Sequence, residues 1–167
     1  IIANPNCSTM QLMVALKPIQ DAVGIEHINV CTYQAVSGSG QKAVEELAKQ
    51  TAELLNAREA TAKVYDKQIA FNVLPNIDAL QDNGYTKEEM KLVWETQKIL
   101  NDYDLLINAT AVRVPVKVGH AEAINIETEI GITPDQVREI LSQSQGIKVI
   151  DDVSKSSYPT PRTHGDQ

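Results

Sequence analysis

The sequence predicts an α+β fold, with one mixed, mainly antiparallel sheet covered by helices, and three observations carry that expectation. Val44, Leu47, Ala48, Thr51, Leu54 and Leu55 recur at helical spacing. Val112, Val114, Val116 and Val118 instead alternate with Arg113, Pro115 and Lys117, as one strand would. These two kinds of segment follow one another without the regular strand–helix–strand order of a doubly wound sheet, and without an internal repeat. The length of 167 residues suits one domain, and an aromatic content of 4% requires its core to be aliphatic.

Each element has its own signal. Ile1-Ile2-Ala3 lacks an initiator Met and a signal-peptide layout and reads as a strand cut from something larger, so the chain is expected to be a fragment. Asn4-Pro5-Asn6 is a turn, and residues 8–16 are rich in helix formers, with Pro18 expected to end that helix. A β-branched strand is predicted over 26–36, broken by Ser37-Gly38-Ser39-Gly40, and an amphipathic helix over 41–56. Residues 57–85 are mixed, with turn signals at Pro75-Asn76 and Asn83-Gly84. Thr86-Lys87-Glu88-Glu89 has capping-box spacing and opens a helix to about Asn101. A long strand is predicted over 105–118, with an edge or bulge at Pro115, and another over 122–128. Thr133-Pro134-Asp135-Gln136 combines an N-cap, Pro at N1 and a capping box, opening a helix to about Ser144. A last strand is expected over 147–153. The stretch Ser156–Pro161 reads as loop, so 1–161 forms one domain and 162–167 a polar tail.

Composition excludes several classes of function. A net charge of −7 supplies no basic patch for a nucleic-acid backbone, although one Arg and one Lys suffice for a small phosphate. No apolar run approaches the roughly 18 residues of a membrane span. Two cysteines make no disulfide framework, which points to a reducing compartment, the cytoplasm. No Gly-x-Gly-x-x-Gly opens a helix after a strand, so the fold that normally binds a dinucleotide is not in this stretch. No metal site is assigned.

A few residues can carry chemistry. Cys7 sits just before a helix, whose N-terminus favours thiolate over thiol and whose free N–H groups can steady an oxyanion. The commoner fate of a lone Cys is core packing, and that is expected of Cys31. His120 follows Val118-Gly119 at a strand end, a natural place for an acid/base with a pKa near neutrality, or for an ordinary surface His. His27 and His164 are given no role. Arg113 lies on the polar side of its strand, where a guanidinium suits a carboxylate ligand but is more often a solvated charge. Glu88 and Lys91, three apart on one helix face, most often form a surface ion pair. Gln34 with Ser37-Gly38-Ser39-Gly40 offers a polar strand end and a loop fit for phosphate, or a plain turn.

Together these segments resemble one family. Ala3-Asn4-Pro5-Asn6-Cys7-Ser8-Thr9 resembles the nucleophile motif of aspartate-β-semialdehyde dehydrogenases, and Thr32–Gly40 its glutamine and glycine segment. Glu88-Glu89-Met90-Lys91 is similar to its phosphate-contacting helix, and Arg113–Glu122 to its Arg and His signature. Tyr158-Pro159-Thr160-Pro161 is also similar to that family's sequence, and the four main motifs come in family order across nearly the whole chain.

The resemblance implies the catalytic domain of the glyceraldehyde-3-phosphate-dehydrogenase-like type, acting in a homodimer. It makes Cys7 the nucleophile that forms a thioester, Gln34 its substrate-orienting neighbour, and Arg113 the holder of the substrate α-carboxylate. Glu88 and Lys91 belong to the phosphate site, His120 is the acid/base, and Ser37 and Gly38 lie against the nicotinamide of NADP. Asn6 is a weaker candidate for polarising the thioester oxygen. The implied reaction is NADPH-dependent reduction of L-aspartyl-4-phosphate to aspartate semialdehyde, in lysine, methionine, threonine and diaminopimelate synthesis. The family's N-terminal Rossmann domain, with its phosphate-binding arginine, and its C-terminal helical segment are absent, so the isolated chain is expected to bind NADPH poorly and to turn over negligibly. The rival readings are N-acetyl-γ-glutamyl-phosphate reductase, which follows the same thioester logic, and a non-catalytic dimerisation module.

Overall fold

The computed structural model describes residues 1–164. In chain order its elements are α1 (Cys7–Val23), β1 (His27–Gln34), α2 (Gln41–Leu55), α3 (Lys87–Leu100), β2 (Leu106–Arg113), β3 (Ala121–Glu127), α4 (Pro134–Gln143) and the single turn α5 (Pro161–His164). The strands form one sheet in the order β2-β1-β3, and with the helices they make the α+β fold expected. The sheet is mixed. Leu106 donates to Glu26 O and Val114 to Gln34 O, so β1 and β2 advance together. Glu26 donates to Glu127 O, which sets the start of β1 against the end of β3. Backbone contacts divide the chain into two compact units. The first comprises Ile1–Cys31, Glu89–Ala109 and Glu122–Pro159, and the second Thr32–Glu88, Thr110–Ala121 and the residues from Thr160.

The first unit is built on an aliphatic core. Leu12, Leu16 and Ile19 fall on one face of α1 and pack with Ile25, Ile28, Val30, Leu92, Leu105 and Ala109. Val137 and Leu141 of α4 close over it. The capping box at Thr133 forms as predicted, with Gln136 N–H donating to the threonine hydroxyl and Thr133 N–H to the Gln136 side chain. Gly24 ends α1 at φ 70°, a backbone conformation that L side chains rarely adopt, so glycine suits the position.

The second unit has a smaller core of Val36, Ala43, Ile69 and Leu74, with Val44 and Leu47 of α2 and Tyr65 against it. Two polar residues on the buried face of α2 organise the irregular stretch that follows. Glu46 accepts from the N–H groups of Lys63 and Val64, both at 2.7 Å. Gln50, fully buried, accepts from those of Ile69 and Ala70 at 2.9 and 3.1 Å.

Four expectations are corrected. Pro18 lies inside α1 instead of ending it. The carbonyl it leaves without a donor belongs to Val14, an exposed residue, while Ile19 beyond it is needed in the core. The strand over 105–118 stops at Arg113. Val116 N–H turns back onto Val114 O across Pro115, and the carbonyls of Val116 and Lys117 accept from Val36 and Ser37 instead. Residues 147–153 form no strand. Asp151 pairs with Arg138, and Asp152 closes a turn with Ser157. Pro161–His164 of the expected loop and tail is a helical turn, its His164 N–H bonded to Thr160 O, and residues 165–167 of that tail lie outside the described part.

Candidate active site

In the second unit the end of β1 with the loop after it, the start of α3, and the end of β2 with the segment after it bring six predicted residues together. Gln34 is 1% exposed, and its amide donates to Glu88 Oε1 and to Thr32 Oγ1, both at 3.2 Å. The next residue, Ala35, is gripped from both sides. Its carbonyl accepts from Arg113 Nη1 at 2.8 Å, and its N–H donates to His120 Nδ1 at 3.0 Å. Gly38 lies over the same pair, where a Cβ would stand 3.2 Å from Arg113 Nη1 and 3.4 Å from His120 Cε1. Ser37, half-buried, completes the loop through its N–H to Lys117 O.

Two surface readings are therefore corrected. Arg113 is not a solvated charge on the polar side of its strand. The strand's phase is the reverse, and Arg113 is buried in line with Ala109 and Ala111. Its Nε has no hydrogen-bond partner, so this buried guanidinium keeps a donor uncommitted. Glu88 is likewise buried instead of pairing on the surface.

The imidazole of His120 has a defined tautomer. With Nδ1 accepting from Ala35, the neutral ring carries its proton on Nε2. Burial holds its pKa below the ordinary histidine value and the positive charge of Arg113 adds to this, while Glu88 opposes. The resting ring is thus a neutral donor at Nε2.

Cys7 and Lys91 belong to the first unit. Cys7 is exposed in the first turn of α1, the accessibility that the expected nucleophile requires. Asn6 is the N-cap, and its side-chain oxygen accepts from Ser8 N–H at 3.0 Å. That oxygen serves as the cap of the helix. Lys91 is half-buried on α3. Cys31, expected in the core, is half-buried between the buried Val30 and Thr32, on the other side of its strand.

Sequence reasoning also missed Glu122. It stands on β3 against Gln11 of α1, and its Oε1 is buried without a partner. Burial raises its pKa to about 7, against a smaller pull from the Gln11 hydrogen bond. Its position beside His120 in the chain was visible, but burial was not.

Residues 16–167 match the family model described as semialdehyde dehydrogenase, dimerisation domain. The chain belongs to that family. A Legionella pneumophila relative named aspartate-semialdehyde dehydrogenase is 59% identical over 160 residues, covering 96% of this chain and 46% of its own length. The crystal structure of aspartate semialdehyde dehydrogenase II from Vibrio cholerae, complexed with ASA, superposes with a TM-score of 0.92 at 57% identity, over 96% of this chain and 47% of that one. A Candida albicans aspartate semialdehyde dehydrogenase with NADP superposes at 0.60 and 28% identity, over 86% of this chain and 35% of that one. The chain spans about half the length of the curated relatives it matches.

Proposed function

We propose that residues 1–161 are the catalytic and dimerisation domain of an aspartate-semialdehyde dehydrogenase, which reduces L-aspartyl-4-phosphate to L-aspartate-4-semialdehyde with NADPH. The observation that carries this reading is the double grip on Ala35, which fixes a neutral His120 beside a buried Arg113 that keeps a free donor. That arrangement suits a substrate with a fixed carboxylate and a proton to be moved nearby. Cys7 at the N-terminus of α1 attacks the acyl phosphate, its C–S bond forming as phosphate leaves with the C–O electron pair. Arg113 holds the α-carboxylate, Gln34 orients the substrate, and Glu88 and Lys91 form the phosphate site. The hydride that reduces the Cys7 thioester to the aldehyde is the chemistry NADPH supplies when bound. Gly38, lacking a Cβ, leaves its exposed backbone open to a flat ring next to His120, and with Ser37 it fits the nicotinamide. His120, the proposed acid/base, steadies the oxygen that becomes negative by a hydrogen bond from its Nε2–H, and that bond relaxes as the carbonyl of the aldehyde re-forms and the Cys7 thiolate leaves.

The named relatives support the assignment, and the family's dimerisation domain supports a homodimer. No helix among the described residues is long and apolar enough to cross a membrane, and a cytoplasmic biosynthetic enzyme is the setting we propose. The test is the reverse reaction, aspartate semialdehyde with phosphate and NADP, in the full-length protein and its Cys7→Ser variant. The expected result is turnover that Cys7→Ser abolishes. Turnover surviving the substitution, or a preference for N-acetylglutamate semialdehyde, would overturn the assignment.

A further inference from the structure

One carboxylate that the proposed reaction does not use reaches the turn carrying the nucleophile. Glu95, half-buried on α3, accepts the backbone N–H of Asn6 at 2.7 Å, across 89 residues of chain. Asn6 then organises the start of α1 from within, its side-chain oxygen taking Ser8 N–H at 3.0 Å and its carbonyl taking Met10 N–H at 2.9 Å. The latter two bonds are local to α1 and would travel with it. The Glu95 bond ties that end to another element. A charged acceptor makes such a bond short and directional.

The same face of α3 carries Lys91, one turn before Glu95. Leu92 and Thr96, both fully buried, lock the rotation of the helix between them. One rigid helix therefore presents a phosphate-site cation and, one turn on, the acceptor that holds the residue before Cys7.

We propose that Glu95 is a positioning residue: by holding Asn6 it fixes the first turn of α1, and so places Cys7 relative to Lys91. This rests on the reading of Cys7 as nucleophile. Attack on an acyl phosphate needs the sulfur above the plane of the carbonyl, at the angle that forms the tetrahedral adduct, and a displacement on the order of 1 Å at such a centre costs on the order of a hundredfold in rate. Glu95 touches neither substrate nor sulfur in this scheme and acts through the backbone of Asn6.

The experiment compares Glu95→Gln, Glu95→Asp and Cys7→Ser in the full-length protein. It reads kcat, KM for aspartate semialdehyde, and iodoacetamide alkylation of Cys7 with Cys31 as reference in the same molecule. Glu95→Gln keeps an acceptor oxygen in place and is expected to hold kcat within about threefold of the parent. Glu95→Asp keeps the charge but withdraws the acceptor by one methylene, and is expected to lose about tenfold or more in kcat, with KM little changed and the Cys7-to-Cys31 alkylation ratio altered. The proposal is overturned if Glu95→Asp matches the parent, if Glu95→Gln loses as much as Glu95→Asp, or if kcat falls with the alkylation ratio unmoved. An active Cys7→Ser variant would instead sink the nucleophile assignment itself, whatever Glu95 does.

Discussion

At Gly38 a single methyl group would press on the candidate site itself. Its absent Cβ leaves 3.2 Å to an Arg113 nitrogen that is already tied to Ala35, so the guanidinium has little freedom to yield. Gly38→Ala is therefore expected to lower kcat/KM by about tenfold or more while shifting stability by less than about 1 kcal/mol. Steady-state kinetics beside a urea melt would check both. Family resemblance made Gly38, Arg113 and His120 candidate site residues in the sequence, and the structure sets the three side by side. Their environment was not legible in the sequence. An alternating pattern gives two faces but not which one is buried, and the valines around Arg113 pointed to the wrong one. Glu122 and Glu95 were illegible for a related reason, since their partners Gln11 and Asn6 come from distant parts of the chain.

The elements rest on burial of very different kinds. In α1, Leu12 is fully buried within the larger core, and Leu12→Ala is expected to cost about 3–4 kcal/mol by leaving a cavity, read as a lowered urea midpoint at unchanged slope. In α2 the buried face includes a glutamine. Gln50→Ala would strand the N–H groups of Ile69 and Ala70 without acceptors, at an expected cost of about 2–4 kcal/mol by the same measurement. Helices α1 to α4 were all predictable, because their apolar spacing and caps are local signals. The errors fall where a local signal met a tertiary demand. Pro18 is a helix breaker overruled by the burial of Ile19, and the β-branched 147–153 stretch commits Asp151 to Arg138 and Asp152 to a turn with Ser157 instead of extending the sheet.

For the molecule as a whole, two titrating groups shape stability against pH in opposite ways. Glu122 has its folded pKa raised from 4.5 to about 7, so between those values the folded state binds more protons than the unfolded one, and stability falls as pH rises. His120 has its folded pKa lowered from 6.5, so its contribution is present above that value and is lost as pH falls through the lower folded pKa. Glu122→Gln, neutral at every pH, is expected to match the parent near pH 4 and to exceed it at pH 8 by on the order of 1–3 kcal/mol. Urea melts across that range would show it, and parallel curves for the two proteins would refute it. The polar staples of the second unit have a further consequence. Between α2 and α3 the chain makes no ladder, yet buried amides at Ile69 and Ala70 and those at Lys63 and Val64 answer to one helix face. In amide hydrogen exchange these four protons are coupled: an opening that lifts the segment from α2 releases them together, as one foldon inside a stretch with no regular secondary structure.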